Sequence, residues 1–126
     1  MKHLWFGIGL LAALLAAGLW LGGSLDDWHL PAAKDLDKAA DAALAEDWGL
    51  AQALCIRAEK HWCKHRNLTA VVTHHDLIDQ IDDGFAALED YIRCEETASF
   101  AATCSQLAGK LRSVSQAHRF RWWNLL

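Results

Sequence analysis

V-V-T-H-H-D-L-I-D-Q-I-D-D-G-F-A-A-L-E-D-Y-I, residues Val71 to Ile92, is where the fold of this chain is decided. Val71, Ile78, Phe85, Leu88 and Ile92 fall on one stripe at helical spacing. His75 stands on the step between Val71 and Ile78, so the apolar seam carries an imidazole near its start. A polar group in such a seam needs a partner, and Asp79, four residues on, and Asp82, seven on, are placed to accept from it. The spacing predicts a helix from Val71 to near Cys94 on which the other helices pack.

Two further seams flank it. Asp47 is a good N-cap, and Trp48, Ala51, Cys55, Ala58, Trp62 and His65 then recur at steps of three and four, predicting a helix from Trp48 to about Arg66 with two large aromatic anchors. Residues 67–70 are expected to turn the chain. Phe100, Cys104, Leu107, Leu111, Val114 and His118 make the cleanest seam, and its continuation through Trp122 and Leu125 carries the last helix nearly to the C-terminus. Upstream, Pro31 suits the first turn of a helix running to about Ala45. The inward face of that helix would be Leu36, Ala40, Ala43 and Leu44, small and alanine-rich, which makes it the weakest of the set. Helices of this length joined by turns of a few residues predict an all-α fold: an antiparallel, up-and-down bundle of three to four helices.

At the N-terminus, Lys2 precedes an uncharged run from His3 to Leu25, which Asp26 and Asp27 close. About twenty such residues span a bilayer. Trp5 and Trp20 stand near the two ends, where interfacial aromatics concentrate, and the basic side chain on the near side puts the N-terminus in the cytoplasm. The expectation is an uncleaved single-pass transmembrane anchor over residues 1–25 and an extracytoplasmic helical domain over 26–126. A cleaved signal peptide is the competing reading, since Ala16-Ala17-Gly18 and Gly22-Gly23-Ser24 offer small residues to a peptidase.

Length and charge narrow the class. Of 126 residues about a hundred remain after the anchor, enough for one small core. The net charge is -4 and no long basic face gathers, so a nucleic-acid partner is not expected.

Several of these residues together are similar to a known family. Asp47, Trp48 and Ala51 in the order D-W-x-x-A, the later Trp62, the H-x-x-I-D-x-I-D run (His75, Ile78, Asp79, Ile81, Asp82), Tyr91-Ile92 and the closing Asn124-Leu125-Leu126 resemble the bacterial domain of unknown function 4363 family. The order and spacing of these residues carry the likeness. It implies a small, membrane-anchored helical protein with no established activity. The cysteines and the extra histidines depart from the family pattern. The D-W-x-x-A start is also similar to one helix of a tetratricopeptide unit, but no second copy follows at a period of about 34 residues.

Alternating helix directions would bring His65, His75 and His118 to one level on inward seams, with Asp79 beside them, a donor set suited to zinc or another transition metal. The plainer reading gives each histidine a single hydrogen bond and no cofactor. Cys55 and Cys63, eight residues apart on one helix, cannot pair. One bridge among Cys55, Cys94 and Cys104, with Cys63 free, stands beside the reading of Cys55 and Cys104 as small buried thiols. No Gly-rich phosphate loop, G-x-S-x-G or C-x-x-C is present, and acidic pairs such as Asp82-Asp83 read as solvated. An enzyme is therefore not expected. The expectation is a structural or protein-interaction module with an unidentified protein partner, or alternatively a metal-binding protein. Contact with the membrane is expected through residues 4–25 and, at the returning C-terminus, through Arg119, Arg121, Trp122 and Trp123.

Overall fold

The computed structural model describes the backbone of residues 1–123 and the side chains of residues 1–20, 28–71 and 73–116. Among these residues the chain forms four helices and no strand: α1 (Lys2–Leu44), α2 (Trp48–Val72), α3 (His75–Cys94) and α4 (Thr97–Trp123). Each helix packs against its two sequence neighbours around a square, with α4 returning to α1. Trp28 of α1 meets His65 of α2, and Asp35 meets Arg57, so the residue order runs in opposite directions and the two helices are antiparallel. Asp37 on α1 and Arg112 on α4 pair in the same opposed sense. The expected up-and-down bundle is thus the observed one.

The seams account for its core. Ala51, Cys55, Ala58 and Trp62 of α2, Ile78, Ile81, Phe85 and Leu88 of α3, and Phe100, Cys104, Leu107, Leu111 and Val114 of α4 are all buried. Trp48 lies edge-on to Phe100 at the end far from the anchor, their centroids 5.4 Å apart. At Gly84 the two helices α3 and α4 come so close that a β-carbon there would stand 2.8 Å from Leu107 Cδ1.

Several boundaries differ from the sequence expectation. Pro31 does not begin a helix; it lies inside α1, which is continuous from the apolar segment into the body. A proline inside a helix removes one backbone hydrogen bond and costs about 3 kcal/mol. Packing on both sides of it offsets that cost, with Trp28 and His29 docked on α2 just before it and Ala32, Ala33 and Leu36 buried just after. Nor is α1 the weakest element, because its alanines let both α2 and α4 approach closely, and Ala39, Ala40, Ala42 and Ala43 are all in the core. Leu44, expected inward, is 63% exposed because the helix ends there.

The turn expected at residues 67–70 falls instead at residues 73–74, and α2 runs on to Val72. Nothing in residues 67–72 breaks a helix, and the Thr69 hydroxyl donates to the His65 carbonyl at 2.9 Å one turn back. Val71 consequently belongs to α2 and is 81% exposed, not part of the α3 stripe. His75 becomes the first residue of α3, exposed rather than in a seam.

The cysteine bridge expected among Cys55, Cys94 and Cys104 is not formed, and all four cysteines carry free thiols. Helices α2 and α4 are diagonal to each other, and among the described residues no Cα of one comes within 8 Å of the other. A disulfide tolerates about 7 Å, so Cys55 cannot reach Cys104. Burial pushes both thiols up to about 12, which keeps them protonated small hydrophobes.

Candidate functional site

The end of the body nearest the apolar segment holds a set of hydrogen-bonded polar side chains. There α2 returns beside α1, and the first turns past the apolar run are held by aromatic and hydrogen-bonded contacts. The Trp28 ring stacks on His65, centroids 4.6 Å apart. His29, only 1% exposed, places Nε2 3.0 Å from the Thr69 hydroxyl, and its ring lies tilted against Trp62. Since the Thr69 hydroxyl donates its proton to the His65 carbonyl, it accepts from His29 Nε2–H. Trp28 and His29 therefore form a structural joint between α1 and α2. Its sequence signal is weak, because a tryptophan and a histidine after an apolar run look interfacial until the register with α2 is known.

A second group ties α2 to α3. Trp62 Nε1 donates to Asp82 Oδ1 at 2.7 Å, and Arg66 Nε and Nη2 both reach Asp82 Oδ2 at 2.8 Å. Partial burial pushes the Asp82 carboxyl up, but the hydrogen bonds from Arg66 and Trp62 and the Arg66 charge outweigh it, leaving the group below the ordinary carboxylate range. Asp82 is thus neither a solvated helix end nor a partner of His75. Its partners lie on the preceding helix, a relation that only the packing of α2 on α3 creates.

Between α1 and α2 runs an open groove of about 600 Å³, lined by Lys34, Asp35 and Lys38 on one side and Arg57 and His61 on the other, with Leu30 and Pro31 at its anchor-proximal end. Asp35 is buried, and its two oxygens take Arg57 Nε at 2.8 Å and Nη2 at 2.6 Å. The side chain of Arg57 is itself 62% exposed. His61 is half-buried, and its Nδ1 is buried with no hydrogen-bond partner among the described residues.

The residues expected to hold a metal are distributed otherwise. His65 is half-buried, stacked on Trp28, with Nδ1 3.1 Å from the His61 carbonyl. His75 and Asp79 are both exposed on the first turns of α3. His118 lies outside the described side chains, as do Arg119, Arg121, Trp122 and Trp123. Among the described residues no group of three or more His, Cys, Asp or Glu side chains converges as metal ligands do.

These features define a class: a small antiparallel four-helix bundle grown directly from a long apolar N-terminal helix, with a few polar side chains that tie one helix to the next. The chain belongs to the family described as "Domain of unknown function (DUF4363)", whose family model matches residues 20–125. No curated protein and no solved structure matches it. Most residues that carried the family likeness have architectural places. Asp47 caps α2 through Leu50 N–H, Trp48 packs on Phe100, Ala51 is buried, and Trp62 and Asp82 join α2 to α3. The closing Asn124-Leu125-Leu126 lies outside the described residues.

Proposed function

We propose that the protein is a single-pass, membrane-anchored helical bundle that acts as a structural or protein-interaction module on the outer face of a cell membrane, without catalytic activity or a bound cofactor. The observation that carries this reading is α1 itself. Its segment Lys2–Trp20 is long and apolar enough to cross a membrane and none of it is buried against the body, while the same helix runs on to Leu44 in the core. An apolar surface of that size needs a cover, and a bilayer supplies one along the whole segment. Lys2 before the run and Asp26-Asp27 after it support an N-terminus in the cytoplasm and a body outside.

The same reading includes the C-terminus. Asp37 pairs with Arg112, so the backbone at position 123, eleven residues further along α4, returns to about the level of position 26 on α1. Arg119, Arg121, Trp122 and Trp123 have the composition of an interfacial segment there.

Protease added to intact spheroplasts tests the topology. The expected outcome is digestion of the body while the N-terminal segment stays with the membrane. A protected body, or a mature chain that begins after Ser24, would overturn it. The metal-binding alternative through His65, His75, Asp79 and His118 has no specific observation in its favour.

A further inference from the structure

We infer that the groove between α1 and α2 is a binding site for the phosphate of an anionic phospholipid headgroup, with Lys34 and Lys38 as its principal cations. The inference rests on the membrane-anchored reading above and adds a ligand to it.

Charge is the first ground. The chain as a whole carries -4, yet this groove has Lys34, Lys38 and Arg57 against the single carboxylate of Asp35. Both oxygens of that carboxylate are already taken by Arg57, and the neighbouring acid of α1, Asp37, is taken by Arg112 of α4. Lys34 and Lys38 are left exposed, four residues apart on one face, with no ion pair among the described residues. The α2 wall continues the pattern: Arg57, Lys60, His61 and Lys64 recur at steps of three, one and three on a single stripe without an acid. Among the described side chains, the exposed acids at this end, Asp76, Asp79 and Asp83, belong to α3, diagonal to α1.

Position is the second ground. Leu30 and Pro31 stand five and six residues past Leu25, the end of the apolar run, about 8 to 9 Å along the helix. The polar layer of a bilayer extends about 5 to 8 Å beyond its hydrocarbon on each side. The apolar floor of the groove therefore meets the headgroups. Lys34 and Lys38 stand higher, but side chains on a helix lean toward its N-terminus, and the N-terminus of α1 is the membrane side. Lys34, about 14 Å past Leu25, can lean its ammonium group back toward the phosphates, as snorkelling lysines do, and Lys38 stands one turn above it.

The test uses the full chain in neutral detergent, titrated with phosphatidylglycerol, with phosphatidylcholine and with inorganic phosphate, bound lipid being counted by native mass spectrometry. Phosphatidylglycerol should bind at least about tenfold more tightly than phosphatidylcholine, and the preference should weaken with salt. Lys34→Ala with Lys38→Ala should abolish it, Lys34→Arg with Lys38→Arg should retain it, and Lys110→Ala on α4 should leave it intact. Equal binding of the two lipids, an unaffected double alanine variant, or an equal loss in Lys110→Ala would overturn the assignment. Inorganic phosphate that binds as tightly as the lipid would show a free-phosphate site and overturn the lipid assignment too. Because the titration does not depend on orientation in the cell, a failed spheroplast experiment with an intact lipid preference would point to the topology, and the reverse result to the groove.

Discussion

Trp62 Nε1 and Asp82 Oδ1 are 2.7 Å apart, and this bond joins a tryptophan that is only 1% exposed to a carboxylate on the next helix. Two helices that could slide past one another are held in register by it, since the indole has one donor and Asp82 offers its second oxygen to Arg66.

Trp62→Ala should cost about 3 to 5 kcal/mol, as the loss of a fully buried aromatic does. Against a total of about 5 to 15 kcal/mol for a domain, the variant should be largely unfolded. Trp62→Phe keeps most of the volume and loses the donor, so it should retain a cooperative transition at lower midpoint. Thermal denaturation of both variants checks the pair, and an unchanged melting curve for Trp62→Ala would remove Trp62 from the core.

The depressed pKa of Asp82 gives a pH dependence with a definite sign. A carboxyl held below its unfolded value stabilises the fold above about pH 4 and loses that contribution as pH falls through the folded value. Asp82→Asn should therefore be destabilised at neutral pH, by about 1 to 2 kcal/mol because the pair is partly exposed. The gap to the parent should close in acid. Urea midpoints at pH 7 and below pH 4 measure it.

Glu59 has the opposite sign. Its burial first, and then the charges of Glu89 and Asp82, hold its carboxyl above the ordinary value, so the ionised form strains the fold at neutral pH. It borders a groove of about 210 Å³ between α2 and α3 with Glu89 opposite. Glu59→Gln should raise the urea midpoint at pH 7, and the gain should vanish as pH falls through the raised folded value toward the unfolded one. A variant less stable than the parent at pH 7 would show that the carboxylate makes a favourable contact.

The Asp35–Arg57 pair should respond unequally to loss of either partner. Removing the guanidinium strands a buried carboxylate, whereas removing the carboxylate charge frees a guanidinium that water already reaches. Arg57→Ala should thus be the more destabilising of the two and Asp35→Asn the milder. Equal losses in chemical denaturation would contradict the burial of Asp35.

Glu95 closes α3 in the left-handed region, φ 51° and ψ 40°, where a residue with a β-carbon is strained by about 1 kcal/mol. Glu95→Gly should relieve this and raise the melting temperature by about 4 to 8 °C for a domain of this size. No rise in a calorimetric scan would mean that the unfolded-state entropy of glycine offsets the relief.

What the sequence determined by itself was the pattern that depends on one helix at a time. The seams from Trp48 to Trp62, from Ile78 to Leu88 and from Phe100 to Val114 repeat at three and four residues because only that period keeps one face dry, and all are in the core. The Asp47 cap and the apolar run before Asp26 are equally local, and both were readable. The tertiary structure alone decided whatever depends on the distance between helices. Residues 67–72 and Pro31 carried no local signal strong enough to place a boundary, and docking of Trp28 and His29 on α2 settled both in favour of continuous helix. Cys55 and Cys104 both point inward, yet they sit on diagonal helices too far apart to bridge. Val71 left its seam because the turn falls at residues 73–74 and leaves it on α2, and His75 is exposed because α3 begins there. Asp82 found Trp62 and Arg66 for the same reason: periodicity fixes a face, but only the register between packed helices fixes a partner.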